Sequence, residues 1–326
     1  MINIRNIFLL NTLFLILGCS DKREHSSLLS RAEIPYIFGE SKHIIDANPN
    51  PDTDPNKWYT NDHCFVVDKD STIHWFGINN PLPDERSQLY QSHPFTGHLI
   101  AKNPNGPWER LPFIFDEKAE YLGAPFVIWH EESQRWVMVI QTGPSDFRGL
   151  EVCWSEDLYN WKRTRKRILS NVIWEGTRDP HIIKGADGKY WIHLVTTKKL
   201  GKTNESQVIR IKTADFENFE DPKTVLKITD DVKWSGVESP VFIQRGDLWY
   251  LFFTYAHRRY AETIVVVSDT PEFFDYEKNV ITTLFSHAAE IFNYGGVTYI
   301  SSCGPEDQHV LNTHGVTLAE LRWMQQ

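Results

Sequence analysis

Three carboxylates in this 326-residue chain are set apart by their surroundings. Asp62 heads Asp62-His63-Cys64-Phe65-Val66-Val67, Asp179 sits in Arg178-Asp179-Pro180-His181-Ile182-Ile183, and Glu238 opens Glu238-Ser239-Pro240-Val241-Phe242-Ile243. Each lies where a polar stretch passes into a short apolar run, with Glu238 one step ahead of the other two relative to the strand start. Acids gathered in one pocket repel each other, which raises at least one pKa and separates the protonation states. A protonated acid facing an ionised carboxylate is what glycosidic bond cleavage requires: one protonates the leaving oxygen, the other works on the opposite face of the sugar ring. A third carboxylate can orient the acid, modulate its pKa and hold ring hydroxyls. A lone Asp before Pro is more often a turn cap. Three acids at equivalent places in a repeated unit, with Ala124 and Ala288 in the other two, favour a site.

The elements that would position these acids are strands. Helical periodicity is scarce, and short apolar runs closed by turn residues dominate. One unit recurs five times at a spacing of roughly 50–60 residues, as in a propeller array. Each copy is a hairpin. Copy one is Asp62–Val67, a turn at Asp68-Lys69-Asp70-Ser71, then Ile73-His74-Trp75-Phe76. Copy two begins at Ala124-Pro125, copy three at Asp179-Pro180, copy four at Glu238 and copy five at His287-Ala288-Ala289-Glu290. Further strand-like runs follow in the middle copies, and Gly315–Trp323 would add an outer strand that finishes a blade. The expected fold is therefore all-β, a five-bladed β-propeller over residues 34–326, in which the innermost strand of every blade starts beside a central channel.

Asn61-Asp62, Arg178-Asp179-Pro180 and Glu238-Ser239-Pro240 together resemble the glycoside hydrolases of families 43 and 32. Ser155-Glu156-Asp157-Leu158 with Trp161 is similar to a further segment of those enzymes. The resemblance implies a five-bladed propeller acting on arabinofuranosides, xylosides or fructosides. It implies Asp62 as general base or nucleophile, Asp179 as the carboxylate that stabilises the transition state or tunes the acid, and Glu238 as general acid. Two departures concern blade one. Family 32 usually has Trp, one residue, then Asn-Asp-Pro-Asn-Gly, whereas here Trp58 stands one position further off and His63-Cys64 replaces Pro-Asn. Family 43 usually has Pro after its first Asp. Asp46, Asp52 and Asp54 are rival bases in a Pro/Asn-rich loop with no strand after it.

Trp58, Trp174 and Trp234 each precede a carboxylate candidate by four or five residues, where a flat ring at the pocket mouth can cover a sugar's apolar face. Packing between loops is the competing role. Arg178, as a buried charge, needs a carboxylate or a substrate hydroxyl. His287 is expected at blade five's channel end among the substrate-binding residues. The family resemblance implies that a histidine there often helps hold a central calcium or a water cluster. Hard oxygen ligands around one His suit calcium poorly unless the His acts through water, so no metal and no other cofactor is expected. For His63, His93 and His98 a structural role is the expectation.

Composition agrees with a carbohydrate partner. Charged residues are 24%, aromatics 13% with 12 Trp, and the net charge of −9 argues against nucleic acid. Residues 1–19 read as a lipoprotein signal peptide: Arg5, an apolar run from Ile7 to Leu17, and Ile16-Leu17-Gly18-Cys19, which resembles a bacterial lipobox with Cys19 as the lipidated residue. Ser20 follows, so the Asp that marks inner-membrane retention is absent. Residues 20–33 read as a flexible tether. Cys64, Cys153 and Cys303 fall in strand-like runs and read as small buried residues, without zinc spacing. The sequence thus predicts an exported lipoprotein, in the periplasm or at the outer membrane or cell surface. It would touch the membrane through its lipid alone and cleave an oligo- or polysaccharide, with a furanoside such as an arabinofuranoside, or a xyloside, as the expected bond. The alternatives are a retaining fructosidase and a non-catalytic carbohydrate-binding propeller.

Overall fold

A computed structural model describes residues 28–50, 52–54, 57–84, 93–117, 121–143, 149–168, 175–200, 203–230, 236–256, 261–303 and 315–325. Its strands form five antiparallel sheets arranged as the five blades of a propeller. The first strand, β1 (Ile34–Ile45), belongs to the last blade. Blade one holds β2 (Trp58–Val67), β3 (Ile73–Pro81), β4 (Phe95–Ala101) and the short β5 (Glu109–Arg110) and β6 (Phe115–Asp116). Blade two is β7 (Tyr121–His130), β8 (Arg135–Gly143), β9 (Gly149–Ser155) and β10 (Trp161–Ile168). Blade three is β11 (Glu175–Lys184), β12 (Tyr190–Leu200), β13 (Thr203–Thr213) and β14 (Lys223–Asp230). Blade four is β15 (Val237–Arg245), β16 (Leu248–Tyr255), β17 (Glu262–Ser268) and β18 (Val280–Phe285). Blade five is β19 (Ile291–Tyr294), β20 (Val297–Cys303), β21 (Val316–Met324) and then β1 on its outer edge.

The apolar core is divided into wedges between neighbouring blades. Trp191, Val195 and Val208 of blade three pack on Phe242, Leu251 and Phe253 of blade four. Trp75, Ile73 and Leu99 of blade one meet Phe292, Val316 and Leu318 of blade five, which closes the ring. Each sheet therefore buries both faces, and this explains the near-continuous apolar runs of β16 and β17. Cys64, Cys153 and Cys303 are free and buried in these interiors.

The segment Ser155–Trp161, expected to echo an enzyme motif, is a turn device. Asp157 Oδ1 accepts the backbone N–H groups of Tyr159 and Asn160 at 2.9 and 2.7 Å, and Asp215 repeats the arrangement with Glu217 and Asn218 at 2.9 and 2.8 Å. This is the Asx-type local bonding that makes Asp a turn former.

Two expectations at the ends of the domain change. The final strand is not the outer strand of its blade: β21 lies between β20 and β1. β1 carries no apolar alternation in its middle because residues there are exposed on the blade edge. The stretch expected as tether also shortens, since Leu28 and Ala32 are buried in the blade four–five wedge. Arg31 Nη1 lies 2.7 Å from Asp247 Oδ2, and the Glu33 N–H donates to the Tyr250 hydroxyl at 3.0 Å. Cys19 and the rest of the signal segment lie outside the described residues.

Gly315 makes the closure sterically possible. Its φ is +103°, and a Cβ there would stand 1.8 Å from the carbonyl oxygen of Ile45, the last residue of β1. Backbone cannot yield as a flexible side chain can. Gly315→Ala should therefore destabilise the domain by more than about 2 kcal/mol, read as a thermal midpoint lowered by about 5 °C or more. An unchanged midpoint would show that β1 and β21 are not locked at this point.

Candidate active site

The site is built by one backbone feature used five times. In β2 the pairing with β3 skips from Thr60 to His63, in β7 from Gly123 to Phe126, in β11 from Arg178 to His181, and in β15 from Glu238 to Val241. Each gap sets two residues against one on the partner strand, which is a β-bulge. Blade five does the same: the Cys303 N–H donates to the His287 carbonyl oxygen, the Ser301 N–H donates to that of Glu290, and Ala288-Ala289 lie between. Ala124, Asp179, Ser239 and Ala288, the first bulge residues of four blades, have φ of 44°, 54°, 48° and 47°. Positive φ at non-glycine residues is a strained choice that clusters at functional sites. Pro125, Pro180 and Pro240 take the second bulge position, where a missing N–H costs no ladder bond.

This register corrects one expectation. Asp179 and Asp62 are not at equivalent positions. Asp179 is the first bulge residue of its blade, and Asp62 is the second, in the place that proline fills in the next three blades. Glu238 precedes the bulge by one, and so stands one step ahead of Asp179 and two ahead of Asp62.

A pocket opens on the channel, lined by bulge residues of all five blades, with Asp62, Asp179 and Glu290 as its carboxylates. Ser239 ties two of them together. Its hydroxyl donates to Asp62 Oδ1 at 3.1 Å, and its backbone N–H donates to Asp179 Oδ2 at 3.1 Å. Asn61 Nδ2 donates to the other Asp62 oxygen at 3.3 Å. Arg178 brings in Glu238: its Nη2 lies 2.9 Å from Glu238 Oε1 and its Nε 3.4 Å from Asp179 Oδ2. The three acids expected from sequence therefore form one connected group, with Ser239 and Arg178 as the connectors.

Burial, reinforced by the nearby Glu238 charge, pushes Asp62 up to about 6, against the opposing pull of the Ser239 hydroxyl. Burial and the Asp62 charge hold Asp179 well above the ordinary carboxylate range, although Arg178 opposes them. Both shifts have the cause anticipated for crowded acids.

His63 is buried beside them and kept neutral by that burial, at about 3. Its Nδ1–H is placed to donate to the Asn61 carbonyl oxygen at 3.2 Å, while Nε2 accepts from the Ser301 hydroxyl at 2.8 Å. His287 is buried, with Nδ1 donating to the Cys303 carbonyl oxygen at 2.6 Å. Among the described residues no group of three His, Cys, Asp or Glu is arranged to hold a metal.

Trp58 is not on the pocket wall; its ring stacks on Phe113 at 5.9 Å and packs against Phe95 at 6.0 Å. Trp174 and Trp234 lie outside the described residues. Asp46, Asp52 and Asp54 do not line the pocket, and His93 and His98 pack against Tyr121 and Phe76. Sequence reasoning missed Ser239 as a participant, and also Glu290. The signal for Glu290 was present in His287-Ala288-Ala289-Glu290-Ile291-Phe292, an acid inside an otherwise apolar strand start.

No family model matches the chain, and no curated protein matches it by sequence. Solved structures do match. An endo-arabinase from Bacteroides thetaiotaomicron superposes with a TM-score of 0.62 at 16% identity, covering 86% of this chain and 97% of that one. A β-xylosidase gives 0.62 at 14% identity, covering 87% and 96%. A family 32 β-fructofuranosidase from Bombyx mori gives 0.57 at 15%, covering 94% and 67%. At such identities the likeness is one of fold. The chain has the five-bladed propeller found in structures of glycoside hydrolase families 43 and 32.

Asp62 allows a test that needs no substrate. The folded state keeps this proton up to about pH 6, whereas an unfolded chain releases it near pH 4. The fold is therefore not penalised below pH 4, loses stability as the pH rises through 6, and carries the full penalty above that. Asp62→Asn should gain thermal midpoint relative to wild type as the pH is raised from 4 to 7, then hold that gain. A difference that does not vary with pH would contradict the raised pKa.

Proposed function

We propose that this protein is a glycoside hydrolase that cleaves a furanoside such as an arabinofuranoside, or a xyloside. The observation that carries the reading is the meeting of Asp62, Asp179 and Glu238, from three blades, through Ser239 and Arg178. The fold neighbours, an endo-arabinase and a β-xylosidase, support the same choice.

In this reading Glu238 gives its proton to the glycosidic oxygen as the bond to the anomeric carbon breaks. Arg178 fixes one oxygen of Glu238 and so sets the direction of its carboxyl group. Asp62, ionised above about pH 6, serves the opposite face of the ring. It either takes a proton from the attacking water or bonds to the anomeric carbon, from which water later displaces it. Ser239 holds one Asp62 oxygen, so the carboxylate meets the ring in a fixed orientation. Asp179 shares both Ser239 and Arg178 with its neighbours, and it orients and tunes them. No cofactor is required. The lipobox supports an exported protein anchored through Cys19 at the outer membrane or cell surface.

The test is a screen on aryl arabinofuranosides, xylosides and galactosides and on fructans, with the product anomer followed by NMR. Hydrolysis of a furanoside or xyloside is the expected result. Glu238→Gln should keep the fold and lower the rate on unactivated substrates by about 10²–10⁴-fold, the usual contribution of a general acid. Full activity in that variant would remove Glu238 from its role. A protein that binds glycan and cleaves nothing in the panel would assign the scaffold to recognition alone.

A further inference from the structure

Glu290 lines the pocket from blade five and has no part in the chemistry above. In strand register it stands immediately after the bulge, at the position of His63 in blade one and Val241 in blade four. Its backbone is pinned on both sides: the Glu290 N–H donates to the Ser301 hydroxyl at 3.1 Å, and the Ser301 N–H donates to the Glu290 carbonyl oxygen at 2.9 Å. Ser301 is the same residue that holds His63 Nε2 at 2.8 Å. The main chain is thus held in place while the side chain reaches the cavity.

Its carboxyl group differs from the other three. Asp62 receives Ser239 and Asn61, Asp179 receives the Ser239 N–H and faces Arg178, and Glu238 receives Arg178. The Glu290 carboxyl makes no hydrogen bond to any described residue. The charged groups that act on it are Asp62 and Asp179, both acids. A carboxyl group in such surroundings keeps its proton, and burial with those two neighbours holds it well above the ordinary range. A neutral carboxylic acid offers one O–H donor and a carbonyl acceptor. That pair matches a sugar hydroxyl, which both donates and accepts.

Resting on the glycosidase reading, we propose that Glu290 is a specificity-determining residue of the pocket, holding one ring hydroxyl of the bound sugar. The preferred substrate then carries a hydroxyl facing blade five, and the corresponding deoxy sugar is rejected.

The test compares wild type, Glu290→Leu and Glu290→Gln on the aryl glycoside that wild type cleaves best, and on its monodeoxy analogues. Glu290→Leu should remain folded, with a thermal midpoint at or above wild type, because it removes an acid from beside Asp62 and Asp179. Its kcat/KM should fall about 10- to 100-fold, the scale of a lost buried hydrogen bond. Glu290→Gln, which keeps a donor and an acceptor, should recover most of that loss. For one deoxy analogue the wild-type penalty should equal that of the Leu variant, and the two should not add. The proposal is overturned if Glu290→Leu keeps wild-type kcat/KM, if Gln is no better than Leu, or if the penalties add for every analogue. If wild type cleaves nothing in the panel, the glycosidase reading falls first and this one with it. Cleavage that is indifferent to Glu290 removes this proposal alone.

Discussion

The structure depends on a constraint in each innermost strand: two residues must leave the ladder while the strand continues. The bulge meets it, and its repetition in five blades surrounds the channel with residues whose directions are set by backbone and not by side-chain choice. In register, Glu238 precedes the bulge, Asp179 and Asp62 are its first and second residues, and Glu290 follows it. Four acids from four blades thus fall on four successive positions of a common template. Acids at one shared position would face each other at a single level. Spread along the template, they can address different parts of one ligand.

That arrangement works against stability, and the connectors show how the conflict is contained. Ser239 donates to two acids at once, one through its side chain and one through its backbone, and its own φ of 48° is part of what makes this reach available. Arg178 supplies positive charge to a second pair. What remains uncompensated is held as bound protons, on Asp179 by the shift described, on Asp62 below about pH 6, and on Glu290 by its lack of donors. The apolar wedges between the blades stand away from this centre and stabilise the ring that keeps the acids together. Packing between blades therefore holds a pocket that would expand if its acids were free to move apart.

Much of this was legible in the chain. Hairpins announced themselves through apolar runs and turn residues, and proline after Ala124, Asp179 and Ser239 marked the same place in three blades. Blade one lacks that proline, so Asp62 was set one residue out of register. β1 was invisible because an outer edge strand with an exposed middle has no alternation to read. Glu290 escaped because the comparison across copies stopped at the position of Ala288, two residues short. Ser239 escaped because half of its role comes from a backbone N–H, which no residue type advertises, and the other half from a common hydroxyl. Trp58 misled in the other direction: an aromatic near a pocket strand served packing against Phe95 and Phe113.

The central claim is that one sugar ring sits in the channel between Glu238 and Asp62. A crystal structure of the Glu238→Gln variant with an oligosaccharide that wild type cleaves would test it most directly. The account predicts the scissile oxygen within hydrogen-bonding reach of residue 238, the anomeric carbon facing Asp62, and the ring among the bulge residues. A ligand seated outside the channel, or with its glycosidic oxygen out of reach of residue 238, would contradict it.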